Sequence, residues 1–252
     1  MNQHIPVVIA HRGASRAAPE NTLAAFDLAL AQGAEGVELD VHLSADGVPV
    51  VIHDFALDRT TDGSGAVGDH TITQLRSLDA GAWFDRSFAG QRIPTLEETL
   101  DHLADRSDRR LLVNVELKAG STHYPGIETA CAAILRQYAA SMQLVVSSFD
   151  HRALLTLAEQ APTIATGVLH VARMVDAAAY AQRVHAAALH PLAAAVDAQS
   201  VTEAHAAGLA IYPWTVDDAA QVRQLAQLGV DGIITNVPHE ARQALTTADA
   251  PS

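Results

Sequence analysis

The sequence predicts an α/β fold, specifically a TIM (β/α)8 barrel with a small insertion after its second strand. Three observations lead to this prediction. The chain has 252 residues, a length that suits a parallel barrel of strand–helix units. Short apolar runs alternate with longer Ala- and Leu-rich amphipathic runs, and eight such pairs follow one another along the chain. We therefore expect a single domain over residues 1–252, with the insertion at about residues 54–95.

Each predicted strand is a short apolar run bounded by polar residues or glycine. The eight predicted strands are Val7–Ala10, Gly36–Val41, Leu111–Glu116, Leu144–Ser148, Ile164–Leu169, Ala187–His190, Leu209–Trp214 and Gly232–Thr235. A further run, Val50–His53, lies outside the eightfold count and is predicted to fold back on the second strand. Asp46-Gly47 between the two runs is a strong hairpin signal, and it would place Val50 roughly opposite Val41.

Amphipathic runs between the strands predict the helices. In chain order these are Thr22–Gln32, Leu96–Ala104, Ile127–Ala139, His151–Gln160, Val175–His185, Val201–Ala207, Asp218–Leu228 and Pro238–Leu245. The first begins at a capping residue, Asn21 or Thr22. Three glycines, Gly33, Gly208 and Gly229, each precede a strand, as helix C-caps do. The stretch from residue 55 to residue 93 is long for a connection, which is typical of a functional loop or a small subdomain.

Composition narrows the classes of function. The formal net charge is -13, from 16 basic and 29 acidic residues, and this argues against a nucleic-acid surface. The single cysteine, Cys131, excludes a disulfide framework and favours a reducing compartment. No signal peptide or membrane span is evident, so we expect a soluble cytoplasmic protein without stable membrane association. The residues after Thr246 are predicted to be disordered, and the oligomeric state stays open.

Acidic residues stand at the carboxyl ends of the predicted strands, where a barrel places its active site. Glu38 and Asp40 are two residues apart in a strand and therefore point to the same face. Facing carboxylates repel unless a cation lies between them, and the third strand ends in another carboxylate, Glu116. Hard oxygen ligands suit Mg²⁺ or Ca²⁺, with Mn²⁺ as a further candidate. A pair of surface carboxylates on an edge strand is the alternative.

The remaining candidates supply acid–base chemistry and substrate contacts. His11 and His53 titrate near neutrality and suit a general acid–base pair. Fixed positive charge from Arg12 and Lys118, beside a metal, suits a phosphate oxygen. The aromatic residues that would form an apolar wall for a small carbon skeleton are Phe149 and Trp214.

Structural roles are the alternatives for several of these residues. Arg12 could pair with Glu20 as well as contact substrate, Glu116 and Lys118 could form a simple ion pair, and Trp214 could belong to the core. The other histidines, His42 among them, are predicted to be solvated.

Taken in order, the motifs resemble successive signatures of the glycerophosphodiester phosphodiesterase family, most of all its short cytoplasmic bacterial enzymes. They are Ala10-His11-Arg12-Gly13, Ala18-Pro19-Glu20-Asn21-Thr22, Gly36-Val37-Glu38-Leu39-Asp40-Val41, Asp46-Gly47, His53-Asp54, Leu57-Asp58-Arg59-Thr60-Thr61, Asp79-Ala80-Gly81, Ile93-Pro94-Thr95-Leu96, Val115-Glu116-Leu117-Lys118, Trp214-Thr215-Val216 and Thr235-Asn236. The resemblance runs from the first strand to the last.

The resemblance implies hydrolysis of glycerophosphocholine, glycerophosphoethanolamine and similar diesters to sn-glycerol 3-phosphate and an alcohol. It also implies an acid–base role for His11 and His53, and phosphate contacts from Arg12 and Lys118. The implied metal ligands are Glu38, Asp40 and Glu116. Two positions, Asp217 and His190, depart from the family pattern or vary within it, and we expect both to tune the glycerol or alcohol pocket.

Two mechanistic routes stay open, attack on phosphorus by water or by the glycerol 2-hydroxyl, which is already tethered. A lysophospholipase D on the same barrel is the alternative function. A non-catalytic barrel that binds an anionic metabolite is a third reading, which the presence of both histidines and all three carboxylates disfavours.

Overall fold

Eight parallel strands form a nearly closed barrel in the computed structural model, which describes residues 5–106 and 110–246. Together with one antiparallel strand that lies outside the barrel, the strands are β1 (Val7–His11), β2 (Gly36–Leu43), β3 (Pro49–Val51), β4 (Leu112–Leu117), β5 (Gln143–Ser148), β6 (Ala165–His170), β7 (Ala188–Pro191), β8 (Ala210–Ile211) and β9 (Gly232–Thr235). Their order around the barrel is β8-β7-β6-β5-β4-β2-β1-β9, while β3 pairs antiparallel with β2 outside it. Backbone hydrogen bonds from Asp231 to Ile211 and from Ile234 to Pro213 bring β9 back to β8. The predicted TIM barrel is confirmed.

Among the residues that the structure describes, all eight predicted helices are present, and a further, short helix lies in the insertion. They are α1 (Leu23–Ala31), α2 (Ile72–Leu75), α3 (Leu96–Arg106), α4 (Ile127–Tyr138), α5 (His151–Gln160), α6 (Ala177–Arg183), α7 (Ala198–Ala206), α8 (Ala219–Leu228) and α9 (Pro238–Thr246). Thr22 caps α1 through its side chain, as predicted. Helix α7 begins three residues before the predicted start, because Asp197 and Ser200 form a capping box that satisfies backbone groups at the helix start.

Alternate side chains along each strand point to opposite faces, one toward the surrounding helices and the other into the barrel. On β2 the apolar residues Val37, Leu39 and Val41 face the surrounding helices and join the main core. The interior changes character along the strands. At their amino ends it is apolar, with a cluster of Ile9, Leu112, Ala188, Tyr212 and Ile234. Toward their carboxyl ends the inward positions carry acidic and imidazole groups, so the fold concentrates polar side chains at one end of the barrel.

The insertion has its own small core. Its buried apolar residues are Val50, Ile52, Leu57, Val67, Leu75, Ala80 and Ile93. Because this cluster contains Val50 and Ile52 from the hairpin arm, the insertion packs against the segment that leads to His53. The insertion therefore helps to hold that histidine at the rim of the barrel.

The register of the hairpin differs by one residue from the prediction. Val41 lies opposite Val51, not Val50. The turn explains the shift, because the Ser44 amide donates to the Val48 carbonyl over 3.0 Å and leaves three residues between them. The last of these, Gly47, has φ +82°, the left-handed conformation that three-residue hairpin loops require.

The predicted strand Leu209–Trp214 is only two residues long as β8. Pro213 has no N–H to offer a neighbouring strand. The chain nevertheless stays extended, since Tyr212 donates to Leu189 and Trp214 donates to Pro191. Among the described residues no helix is both long enough and apolar enough to cross a membrane. The tail predicted to be disordered lies outside the described residues.

Candidate active site

Three carboxylates meet inside the barrel at the carboxyl ends of β2 and β4. Asp40 and Glu116 are direct neighbours in the parallel register, and Glu38 lies two residues before Asp40 on the same face. One carboxylate oxygen from each lies within 4.8 Å of the other two, and all three side chains are buried. Within the described part of the chain, Glu38 Oε1 accepts no hydrogen bond, and the partner of Asp40 Oδ1 is the ammonium group of Lys118, 3.3 Å away. Buried carboxylates with an unpartnered oxygen fit a hard divalent cation.

The protonation of this triad is uneven. Burial, and next the charges of Asp40 and Glu116, raises the pKa of Glu38 well above its usual range. Burial and the charge of Asp40 likewise raise the pKa of Glu116 to about 7. Burial alone would raise the pKa of Asp40 too, but Arg12 and Lys118 outweigh it and lower that pKa to about 2. Three carboxyl groups are therefore neutralised by only two cationic side chains, so the site can accept further positive charge.

Arg12 and Lys118 both contact the triad. Arg12 Nε lies 3.2 Å from Asp40 Oδ2, and its Nη1 lies 3.0 Å from Glu20. Lys118 Nζ lies 2.6 Å from Glu116 Oε1 and 3.3 Å from Asp40 Oδ1. The ion pairs that the sequence leaves as structural alternatives are thus both formed. Both cations also stand at the carboxyl end of the barrel, where an anionic ligand would meet them.

His11 is held by a chain of polar groups from the segments that follow β9 and β8. Its Nδ1 lies 2.7 Å from Asn236 Oδ1. The amide nitrogen of Asn236 donates to Asp217 Oδ2 over 2.8 Å, which fixes the amide with its oxygen toward the histidine. His11 Nε2 then faces the triad, 3.9 Å from Glu38 Oε2. Burial, followed by the charge of Arg12, lowers the pKa of His11 to about 4.

His53 has a carboxylate partner instead of an amide. Its Nδ1 lies 2.5 Å from Asp54 Oδ1, and Arg59 holds both oxygens of Asp54. Burial lowers the pKa of His53, while the carboxylates of Asp40 and Asp54 oppose that shift. Both His11 and His53 interact electrostatically with Asp40, so the two rings stand around the same carboxylate.

The two aromatic residues form one surface beside the site. The rings of Phe149 and Trp214 pack edge to face with centroids 5.6 Å apart. Phe149 is 48% exposed, and the Trp214 indole donates to the backbone oxygen of His190 over 2.8 Å. Phe149 therefore offers open apolar surface, and Trp214 supports it.

His190 lies beneath the site, not in its wall. Its side chain has no exposed surface, and its ring packs over Gly167 and against Tyr212. A side chain at Gly167 would collide with the imidazole, because an added Cβ would lie 2.3 Å from His190 Nε2. The sequence predicts that His190 tunes the substrate pocket, but the ring reaches no open surface.

Sequence reasoning missed several residues that hold the candidate site together. Asn21 donates to Asp40 over 2.7 Å, Asp54 contacts His53, and Asn236 contacts His11. The motif Thr235-Asn236 and the pair His53-Asp54 were signals for two of them. The prediction that His42 is solvated is wrong, since its side chain is fully buried. Its position two residues after Asp40 on the inward face could have indicated this.

The sequence matches proteins of one known family over most of its length. Residues 11–240 match the Glycerophosphoryl diester phosphodiesterase family. A glycerophosphodiester phosphodiesterase of Caldanaerobacter subterraneus subsp. tengcongensis is 42% identical over 232 residues, which cover 92% of this chain and 94% of that protein. A glycerophosphodiester phosphodiesterase of Bacillus subtilis is 33% identical over 250 residues, covering 92% of this chain and 84% of that protein.

Solved structures show the same similarity. An Oleispira antarctica phosphodiesterase in complex with the product sn-glycerol 3-phosphate has a TM-score of 0.90 and 34% identity, covering 96% of this chain and 97% of that one. A glycerophosphodiester phosphodiesterase from Agrobacterium tumefaciens has a TM-score of 0.80 and 34% identity, covering 94% of this chain and 99% of that one. The family resemblance stated from the motifs is confirmed.

Proposed function

The chain belongs to the glycerophosphoryl diester phosphodiesterase family and is an enzyme of that class, and from this premise we propose how it works and on what. It hydrolyses glycerophosphocholine, glycerophosphoethanolamine and similar diesters to sn-glycerol 3-phosphate and an alcohol. The reaction depends on one divalent cation and on an acid–base pair of histidines. The observation that carries this proposal is the meeting of three buried carboxylates, two imidazoles and two fixed cations at one end of the barrel.

The cation site consists of Glu38, Asp40 and Glu116. A bound divalent cation supplies a Lewis acid that polarises a phosphoryl oxygen. Arg12 and Lys118 bind the remaining phosphate charge from the same side, as their contacts with Asp40 allow. Arg12 and Lys118 already neutralise part of the charge of the triad. A bound phosphate would therefore contact these two side chains while they still contact the carboxylates.

His11 is the general base in this proposal. Asn236 Oδ1 accepts a hydrogen bond from Nδ1 of His11 because the amide nitrogen of Asn236 is engaged by Asp217. The neutral ring therefore has its lone pair on Nε2, the nitrogen that faces the triad. The lowered pKa of His11 keeps the ring neutral at physiological pH, so Nε2 is ready to take a proton from the nucleophile, either water or the glycerol 2-hydroxyl.

His53 is the general acid. A carboxylate beside Nδ1 favours the protonated ring, and Asp54 provides it over 2.5 Å. Arg59 orients that carboxylate. His53 is also less enclosed than His11, with 28% of its side chain exposed against 14%. Of the two rings, His53 is therefore the better placed to hold a proton for the departing alcohol.

Purified protein should release sn-glycerol 3-phosphate from glycerophosphocholine when Mg²⁺, Mn²⁺ or Ca²⁺ is present. The product can be followed by coupling to glycerol-3-phosphate dehydrogenase. Addition of EDTA should stop the release, and excess metal should restore it, because the carboxylate triad needs its cation. Absence of product with all three metals would overturn the proposed function.

Lysophosphatidylcholine separates this activity from that of a lysophospholipase D. Exposed apolar residues do follow β5 and β6, with Phe149 48%, Val171 59% and Val175 87% exposed, and an acyl chain could contact them. The net charge of -13 opposes contact with an anionic bilayer. We expect kcat/KM for lysophosphatidylcholine to be at least about tenfold below that for glycerophosphocholine. A higher kcat/KM for lysophosphatidylcholine than for glycerophosphocholine would show that the enzyme is a lysophospholipase D.

Cation binding is expected to weaken in acid. The triad must lose its protons to hold a cation, and Glu116, with a pKa of about 7, is mainly protonated at pH 6 and mainly ionised at pH 8. The Kd for Mn²⁺, measured by calorimetry, should therefore be at least about tenfold higher at pH 6 than at pH 8. The same Kd at both pH values would show that Glu116 does not hold the cation or is not protonated in this range.

A further inference from the structure

We propose that His42 is a positioning residue that fixes the backbone of His53 and, through it, the catalytic imidazole. This inference rests on the acid–base role proposed for His53. His42 follows Asp40 by two residues on β2 and shares its inward face, and its side chain is fully buried. It does not belong to the triad, and its ring contacts neither Arg12 nor Lys118 in the described hydrogen bonds.

Both ring nitrogens of His42 have a partner. Nε2 lies 2.9 Å from the backbone oxygen of His53, and Nδ1 lies 2.8 Å from the hydroxyl of Tyr124. A carbonyl oxygen can only accept, so Nε2 of His42 carries the proton. In the neutral ring Nδ1 then accepts from Tyr124, and the hydrogen bonds define a single tautomer.

The bond from His42 continues the hairpin beyond its last strand residue. Strand β3 ends at Val51, and the Ile52 amide still donates to the Asp40 carbonyl over 3.0 Å. His42 supplies the next hydrogen bond, to the carbonyl of His53. A side chain of β2 thus takes over where the backbone pairing stops, at the residue whose imidazole must be oriented.

Two aromatic neighbours keep the His42 ring in place. Phe55, two residues after His53, packs edge to face on it with centroids 4.7 Å apart. Tyr124 is 6% exposed and lies in the loop that follows β4, the loop that begins with Lys118. His42 therefore connects the segment that carries His53 to the segment that carries Lys118. Because its ring is held in place, it restrains the positions of both segments.

Replacement of His42 by Gln and by Asn tests the proposal with two polar side chains of different reach. The Gln amide reaches the position of Nε2 and can donate to the His53 carbonyl, whereas the Asn amide is too short. We expect His42→Gln to keep kcat for glycerophosphocholine within about threefold of the wild type, and His42→Asn to lower it about 10- to 100-fold. KM and the Kd for Mn²⁺ should change less than about threefold in both.

The chain offers a matched control. His151 also bridges a tyrosine hydroxyl and a backbone oxygen, with Nδ1 2.7 Å from Tyr180 and Nε2 2.9 Å from the Leu169 carbonyl. His151→Asn removes the same kind of bridge from a carbonyl that carries no acid–base residue. We expect its kcat to stay within about threefold of the wild type, so a larger loss in His42→Asn reports the connection to His53 and not the loss of a histidine that bridges a tyrosine and a backbone oxygen.

Combination with His53→Ala distinguishes positioning from general damage. If His42 acts through His53, His42→Asn should change the residual kcat of His53→Ala by less than about twofold. A further large loss in the double variant, or equal kcat in His42→Gln and His42→Asn, would overturn the positioning role. Wild-type turnover in His53→Ala would instead overturn the acid role proposed for His53, on which this inference rests.

The tautomer can be measured without relying on a variant's folding. Nitrogen-15 spectra of histidine-labelled wild-type protein should show one ring with its proton on Nε2 and slow exchange with solvent, assigned by its absence from His42→Gln. A proton on Nδ1 of His42 alone would contradict the hydrogen bond to His53.

Discussion

Replacement of His53 by Ala is expected to lower kcat for glycerophosphocholine by about 10²–10⁴-fold, the usual contribution of a positioned acid or base. KM should change little, because His53 contacts Asp54 and not the cations that bind the phosphate. His11→Ala should have an effect of similar size. The measurement is steady-state release of glycerol 3-phosphate at saturating Mn²⁺, so that a weaker cation site is not mistaken for lost acid–base catalysis.

A change of leaving group separates the two roles. Choline leaves as a strongly basic alkoxide unless it is protonated, whereas p-nitrophenolate leaves without a proton. His53→Ala should therefore retain far more activity on glycerol p-nitrophenyl phosphate than on glycerophosphocholine, by at least about tenfold. His11→Ala should lose both activities alike, since both substrates need the nucleophile to be deprotonated.

A histidine at the other end of the barrel serves as control. His205 lies in the last turn of α7 and pairs with Asp231, just before β9. His205→Ala should keep wild-type turnover of both substrates. An equal response of the two substrates in His53→Ala would refute its assignment as the acid, and wild-type turnover in both active-site variants would refute the acid–base pair.

The fold could be predicted because its signals are local. Strand and helix runs carry their period in adjacent residues, and glycines such as Gly229, with φ +86°, mark where a helix must stop. The hairpin register could not be predicted, because it depends on whether Asp46-Gly47 forms a two- or a three-residue loop. The structure decides this through Asp46, whose carboxylate accepts hydrogen bonds from Ser44 and from the amide of Ile72, 26 residues away in sequence.

The sequence predicts the site residues whose direction is set by the strand period. It does not predict the contacts that join residues distant in the chain. The spacing of Glu38 and Asp40 determines their common face. The contact between His11 and Asn236, 225 residues apart, exists only because β9 closes the barrel against β1. Whether an inward residue is open or covered is likewise set by its neighbours. His190 is covered because Gly167 leaves space for its ring.

Glu38→Gln is expected to abolish cation-dependent turnover and, at the same time, to stabilise the metal-free protein. Glutamine has almost the same shape, and its oxygen can still accept from the Arg12 backbone amide, 3.0 Å away in the wild type. It lacks the negative charge that the cation requires. Since Lewis-acid catalysis supplies several kcal/mol, we expect kcat/KM to fall by about 10³-fold and Mn²⁺ binding to become undetectable by calorimetry.

The stability change has the opposite sign because the folded state disfavours the Glu38 carboxylate. A carboxyl group whose pKa is raised on folding contributes stability that is complete below its unfolded-state pKa and is lost as the pH rises through its folded-state pKa. Glutamine does not titrate and suffers no such loss. The gain in Tm of metal-free Glu38→Gln over the wild type should therefore grow as the pH rises above 4.5, the usual pKa of a glutamate. Each 1 kcal/mol of added stability should raise Tm by about 2–4 °C.

A carboxylate outside the triad shows whether these effects belong to the site. Glu35 precedes β2 at the amino end of the barrel, where it pairs with Arg242 and accepts from the Val8 amide. Glu35→Gln should leave Mn²⁺ affinity and turnover unchanged and should lower Tm, since it weakens an ion pair. If Glu38→Gln also lowered the metal-free Tm, the Glu38 carboxylate would stabilise the folded protein. Its repulsion by Asp40 and Glu116 would then not be the larger effect. The triad would then be a structural ion cluster that Arg12 and Lys118 already neutralise.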